Sequence, residues 1–400
     1  MTRLTGRRDL AVLAVGLAVS TAGDAAALVA LLLRLRPAGS GWVAVLLAGE
    51  LVPVVLLAPV AGFVVDRFET RRVLVIALAG QALLAVPLAL VAAPWMTVAF
   101  FTALFACSVF VRPATAALVP AITGEGESAR GYARLATGSS LGWIIGPVVG
   151  GLITGTFGVT SALLLDAGSF AVLTGAAALV RARRRPSSAP ERRTAGRDLG
   201  GGFRLLWRSP VLRVALLVTA IAIGCAVVDN VAAPFRFINQ LGASPAGYGL
   251  YLTIWGTGGL LGVQLLPRLA PRHTQAALAT GNLLTGLGIA GIGLAPNLAV
   301  AFGAAGLGGV GNGLDNVAQN ALIADHTPAE QRGQAFAAAG AVLQTAVGVG
   351  TAAAAPLVTL LGANRAMTLA GALATIAATG GLAIAIRQQR ASHAGMLTER

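Results

Sequence analysis

Apolar residues in this chain come in long unbroken blocks, and short polar segments separate the blocks at nearly regular intervals. Twelve blocks can be marked, at about 10–33, 41–65, 73–93, 95–119, 132–156, 160–180, 211–235, 246–267, 275–295, 297–322, 334–360 and 365–386. As helices rising about 1.5 Å per residue, blocks of this length cover the roughly 30 Å of hydrocarbon in a bilayer. Backbone that is not helical leaves polar groups unsatisfied in lipid, so the polar segments must be turns outside it. The pattern predicts an all-α membrane protein with twelve transmembrane helices. The first block, Leu10 to Leu33, follows Arg3, Arg7 and Arg8 as a signal peptide would. It is too long for a cleaved segment and carries Asp24, so it reads as an uncleaved first span.

Composition rules out the two or three soluble domains that 400 residues alone would suggest, because 56% of residues are hydrophobic and 11% charged. All 29 basic residues are arginine. Without lysine there is no Schiff-base chemistry, no lysine nucleophile and no GxxxxGK[ST] phosphate loop. A net charge of +14 would suit a nucleic-acid partner until the arginines are located. With the connections alternating sides, 24 arginines fall on one side and four (Arg34, Arg36, Arg236 and Arg365) on the other, with Arg112 inside a span. This asymmetry makes the rich side cytoplasmic, places both termini there, and predicts a multi-pass protein of the plasma (inner) membrane. No aromatic residues interleave these arginines for base stacking, so no nucleic-acid partner is expected.

Cys107 and Cys225 lie singly in separate spans, which suggests neither a disulfide framework nor a metal site. His273, His326 and His393 fall in separate cytoplasmic segments, away from any cluster of carboxylates. No metal, cofactor or catalytic set is expected, which argues against a polytopic membrane enzyme. Gly306–Gly311 fits the dinucleotide fingerprint GxGxxG, but it sits inside an apolar span with no strand before it, and close helix packing explains it better.

Between Arg181 and Pro210 the pattern breaks. Arg183–Pro190 has linker chemistry, and Phe203, Leu206 and Trp207 then recur at helical spacing among Arg204 and Arg208. This stretch is either a short interfacial helix on an anionic leaflet or a solvated basic loop. The expected division is 1–182, a linker over 183–210, and 211–400. The two parts read as repeats. Asp24 corresponds to Asp229, Arg130-Gly131 to Arg332-Gly333, and Gly62 to Gly262, although Leu266 stands where a second Asp66 would be. Two pseudo-symmetric six-helix bundles are therefore expected.

The turn between the second and third blocks carries Gly62, Asp66, Arg67, Arg71 and Arg72. A Gly four residues before an Asp-Arg pair, followed by further arginines, resembles the signature loop of the major facilitator superfamily. Glu69 replaces the usual second glycine, as is common among its multidrug, macrolide and siderophore exporters. Gly142, Gly146, Pro147, Gly150 and Gly151 in the fifth block resemble the GxxxGPxxGG core found in the superfamily's exporters; Ala133 departs from the longer pattern. The glycines permit close helix packing, Pro147 is expected to bend the span, and Gly256, Gly258, Gly259 and Gly262 are expected partners. The resemblance implies that Asp66 faces the N-terminal end of span 11 and latches the cytoplasmic side shut, a placement that favours an anion by about 0.3–1 kcal/mol.

Charges inside the spans are the candidates for coupling or substrate contact: Asp24, Glu50, Arg112, Asp229 and Asp315. Asp24 and Glu50 have matching depth. A carboxyl in low dielectric can trade a proton for a substrate, whereas one hydrogen-bonded to Ser20 or Thr21 would only pin helices. Arg112 and Asp315 share a depth on the fourth and tenth spans and could pair; Glu125, Glu127 or a backbone carbonyl are the alternative partners for Arg112. Asp229 and Asn230 could line an outer vestibule, and Asp166 reads as an interfacial structural carboxylate. The resemblance implies a secondary active transporter with partners in the bilayer, protons and a small molecule, working as a monomer and without a cofactor. Proton-coupled efflux of a bulky amphipathic compound is the favoured expectation, with an uptake symporter of the same fold as the alternative.

Overall fold

The computed structural model describes residues 3–123, 127–182, 199–268, 274–328 and 331–398. Among the described residues there are thirteen α-helices and no strand. In the first part of the chain these are α1 (Arg3–Leu35), α2 (Ser40–Arg67), α3 (Thr70–Leu90), α4 (Pro94–Thr123), α5 (Ser128–Phe157) and α6 (Val159–Leu179). A short helix, α7 (Leu199–Arg208), precedes α8 (Pro210–Pro234), α9 (Pro245–Val263), α10 (Thr274–Leu294), α11 (Leu298–Asp325), α12 (Arg332–Leu361) and α13 (Ala363–Thr398). The twelve long helices occupy the twelve apolar blocks.

Ten of the described helices are long and apolar enough to cross a membrane. The other two long ones, α9 and α11, fall short in hydropathy because glycine, tyrosine and threonine in α9, and glycine, asparagine and aspartate in α11, dilute their leucines. Large apolar side chains point outward along the spans, for example Leu83 at 74% and Ile376 at 66% exposure. Leucines such as Leu13, Leu74 and Leu118 are buried between helices, while glycines and alanines mark the places where two backbones come closest.

The helices pack into two compact units, Met1–Pro190 with Ala243–Thr253, and Glu191–Gly242 with Ile254–Arg400. In the first, α1 packs on α5 and α6, α3 on α4 and α6, and α2 on α4. In the second, α8 packs on α12 and α13, and α10 on α11 and α13. The pairings of α8 and α10 in the second unit thus repeat those of α1 on α5 and α6 and of α3 on α4 and α6 in the first. α7 lies on α12: Leu206 is buried in the core with Leu212, Leu314 and Ala335, while Phe203 and Trp207 stay exposed beside Arg204 and Arg208.

Two of the four arginines on the sparse side are structural. Arg34 donates to the carbonyls of Leu88, Val91 and Ala89 at 2.7, 2.9 and 2.9 Å, where α3 ends. Arg236 lies in a π-helical segment, Phe235–Gln240, that prolongs α8. It donates to the carbonyls of Ile292 (3.1 Å) and Ala295 where α10 ends, and to Gln240. The last carbonyls of a helix lack intrahelical partners and carry partial negative charge, so a guanidinium satisfies both needs. Arg34 and Arg236 are 202 positions apart, the spacing of Arg130 and Arg332, so this cap belongs to the repeat.

Candidate transport site

The stretch from Gly62 to Arg72 is less of a turn than its polarity suggests. α2 continues through Asp66 and Arg67, and α3 begins at Thr70, so only Phe68 and Glu69 lie outside helices. The Phe68 N–H still bonds to the Val64 carbonyl at 3.0 Å, and the Glu69 carbonyl accepts from Val73 at 3.1 Å. Water at the membrane surface lets a helix carry polar residues past the hydrocarbon, which is why the polar run does not mark the helix end. Asp66 is exposed, and the Arg67 guanidinium stands 5.8 Å above the Phe63 ring. Glu69, where the family has its second glycine, pairs with Arg72 at 2.9 Å across the first turn of α3. Its carboxylate also lies next to that helix's positive end. A Cβ on Gly62 would meet open space, so close packing does not account for this glycine.

The first unit gathers three carboxyls. Asp24 on α1 lies within Coulombic reach of Glu50 on α2 and of Asp166 on α6. Gly23 makes this approach possible, because a Cβ there would fall 2.7 Å from Asp166 Oδ1. Asp166 is 3% exposed and accepts from the Ser169 hydroxyl at 3.2 Å. It is therefore a carboxylate buried among the helices and held by a hydroxyl of its own helix. The Thr21 hydroxyl donates to the Leu17 carbonyl at 2.7 Å, so it is not the partner that would pin Asp24. Glu50 is exposed on α2. A glycine directly before one acid, and Asp-x-x-Ser at helical spacing around the other, were the signals of this cluster in the sequence.

In the second unit Asp315 is buried on α11, with the Thr285 hydroxyl 3.5 Å from its Oδ2. One turn further along, Thr219 of α8 donates to Gln319 Oε1 at 3.0 Å and accepts from Asn282 Nδ2 at 3.3 Å. Asn282 is fully buried, and its Oδ1 has no hydrogen-bond partner among the described residues. Sequence reading missed this network, although Asn282 and Gln319 are amides inside apolar spans and so were legible as polar residues needing partners. Arg112 is exposed on α4; of its alternative partners, Glu125 lies outside the described residues. Asp229 is buried and Asn230 exposed, so only the asparagine presents a side chain that could face a vestibule.

The glycine motif of α5 forms a ladder against α1. Added Cβ atoms at Gly138, Gly142 and Gly146 would lie 2.9, 2.8 and 2.5 Å from the carbonyls of Ala14, Ala18 and Ala22, and Gly150 meets Ala26 in the same way. Four contacts at a constant offset bring the two backbones together along most of their length. The partners expected for α5 on α9 need correction. Gly151 and Pro147 abut Pro245 and Gly249, and the Thr253 hydroxyl donates to the Ile144 carbonyl at 2.6 Å. Gly258 and Gly262 instead face α11 at Gly306 and Val310. Gly258 is nine positions after Gly249, about two and a half turns, so it points the opposite way. The GxGxxG run also serves packing: Gly308 lies against Gly288 and the Trp255 ring, and Gly311 against Gly281.

A sequence profile described as the Major Facilitator Superfamily matches residues 10–229 and 229–395. The chain belongs to that superfamily. Among similar superfamily proteins, the uncharacterized MFS-type transporter YfiS of Bacillus subtilis (strain 168) is 24% identical over 338 residues, 80% of this chain and 79% of its own. The multidrug efflux pump Tap of Mycolicibacterium fortuitum is 27% identical over 329 residues, 78% of this chain and 79% of its own. Of the solved structures, the nucleoside transporter NupG superposes with a TM-score of 0.76 at 12% identity, covering 94% of this chain and 98% of that one. A POT family transporter in complex with 5-aminolevulinic acid gives 0.73 at 13% identity, covering 95% and 96%. The facilitator fold is thereby shown, and the chain is a multi-pass membrane transporter of that superfamily.

Proposed function

We propose that this facilitator exports a bulky amphipathic small molecule in exchange for protons, by alternating access. The observation that carries the direction is the likeness to multidrug efflux pumps over most of the chain. The GxxxGPxxGG resemblance supports it, and the ladder on α1 gives that motif a physical role here. The coupling rests on the carboxyls of α1, α2 and α6. Ionised carboxyls close together in low dielectric repel one another, and taking up a proton relieves the repulsion. A substrate that draws the proton off is then driven by the gradient that restores it. Asp24 is the intended proton carrier, with Glu50 and Asp166 setting its field. Asp315 and Arg112 are second-rank candidates for coupling or substrate contact, and the buried Asp229 for coupling alone. Asp66, with Gly62, Arg67, Arg71 and Arg72, is the proposed latch on the cytoplasmic side, where both termini lie. The protein acts as a monomer in the plasma membrane, without nucleic acid.

Purified protein of known orientation in vesicles, challenged with dyes, macrolides and siderophores under an imposed pH step, tests this reading. Substrate should move against the proton flow. Movement in the same direction as protons would instead make the protein an uptake symporter.

A further inference from the structure

The seam between α1 and α6 opens into a groove of about 530 Å³ over one part of its length. Its walls are Val15 on one helix and Val172 and Leu179 on the other, and its lining includes Gly16 and Gly175. The walls face outward, with Val15 64%, Val172 54% and Leu179 68% exposed. At Gly16 the helices touch, since an added Cβ would come within 3.0 Å of Ala176 Cβ. At Gly175 a Cβ would meet nothing within 4 Å. The groove therefore exists because side chains are missing from a surface that lies within the spans, where lipid tails are the surrounding medium.

One end of the groove is basic. Arg8 is exposed and stands one helical turn before the lining residue Val12, on the same face of α1. Arg181 is exposed just beyond the end of α6. Its backbone N–H donates to Asp9 Oδ2 at 2.8 Å, which ties the segment after α6 to the first turns of α1. Asp9 itself is buried, so its carboxylate is turned toward the backbone and away from the surface. Guanidinium groups bind phosphate oxygens as planar forks, and an anionic leaflet attracts each of them.

We propose that the α1–α6 groove binds one anionic phospholipid, with an acyl chain along Val15, Gly175 and Leu179 and its phosphate between Arg8 and Arg181. The apolar length and the basic end match the two halves of such a lipid, and neither alone would select it.

Native mass spectrometry of the detergent-purified protein tests the site, using phosphatidylglycerol and phosphatidylcholine with the same tails. The wild type should retain phosphatidylglycerol preferentially. Arg8→Gln and Arg181→Gln should each lower that retention about fivefold, toward the phosphatidylcholine level. Gly175→Phe, whose ring enters free space, should reduce retention of both lipids. A separate readout that does not depend on the folding of Gly175→Phe is quenching of Val172→Trp by brominated phosphatidylglycerol. Equal retention of both lipids by the wild type, or no quenching at position 172, would overturn the proposal. So would a cross-link from residues 183–198 to Gly175→Cys, which would make the linker the occupant.

Discussion

At the scale of single residues, the most informative side chains are those whose surroundings contradict their chemistry. An arginine on the sparse side of the membrane runs against the charge asymmetry of the chain, and Arg34 does so because three carbonyls at the end of α3 need it. Arg34→Gln should cost about 1–3 kcal/mol by leaving those acceptors unpaired. Thermal unfolding in detergent checks this, with the exposed Arg365→Gln expected to be near neutral. Asp24 has the opposite character, as an acid within electrostatic reach of two other acids. Asp24→Asn should leave the protein in the membrane and remove the dependence of transport on an imposed pH gradient, while downhill substrate movement persists. Asp66→Asn should lower transport by about two- to fivefold at unchanged expression, the scale of an exposed helix-end contact worth about 0.3–1 kcal/mol. Normal flux in that variant would remove the latch from the account.

Helices in this protein are chosen by apolar length and joined by absent side chains. The α5 ladder shows the difference between the two requirements. Its glycines could have been read as weak points in a helix, yet each sits against a carbonyl or Cα of α1 at a distance that no Cβ could share. Gly146→Leu should therefore push α1 and α5 apart and destabilise the protein by about 1–3 kcal/mol or more. Gly168→Ala, on α6 with open space around it, should be silent. A comparison of unfolding temperatures decides between close packing and mere helix flexibility as the role of the motif. The mistaken assignment of α9 has a related cause. Small residues announce that some helix approaches closely, but the face they occupy is set by residue count, and Gly249 and Gly258 lie half a turn apart.

For the molecule as a whole, the proposed orientation is open to direct measurement. With Cys107 and Cys225 replaced, a cysteine at Glu69 should react with a membrane-impermeant reagent from the cytoplasmic side alone, and one at Ala38 from the outer side alone. The sequence by itself determined the twelve helices, the internal repeat and the superfamily. These depend on local quantities: apolar length against membrane thickness, charge in the connections, and motifs contained within a single turn or helix. Only the tertiary structure decided which polar groups share a neighbourhood. Asp166 joins Asp24 across 142 positions, and Asn282 joins Thr219 and Gln319 across three helices. The physical reason is that in a uniformly apolar helix every face is equally fit for lipid. Periodicity then leaves the inward face unmarked, and helix-to-helix packing alone selects it.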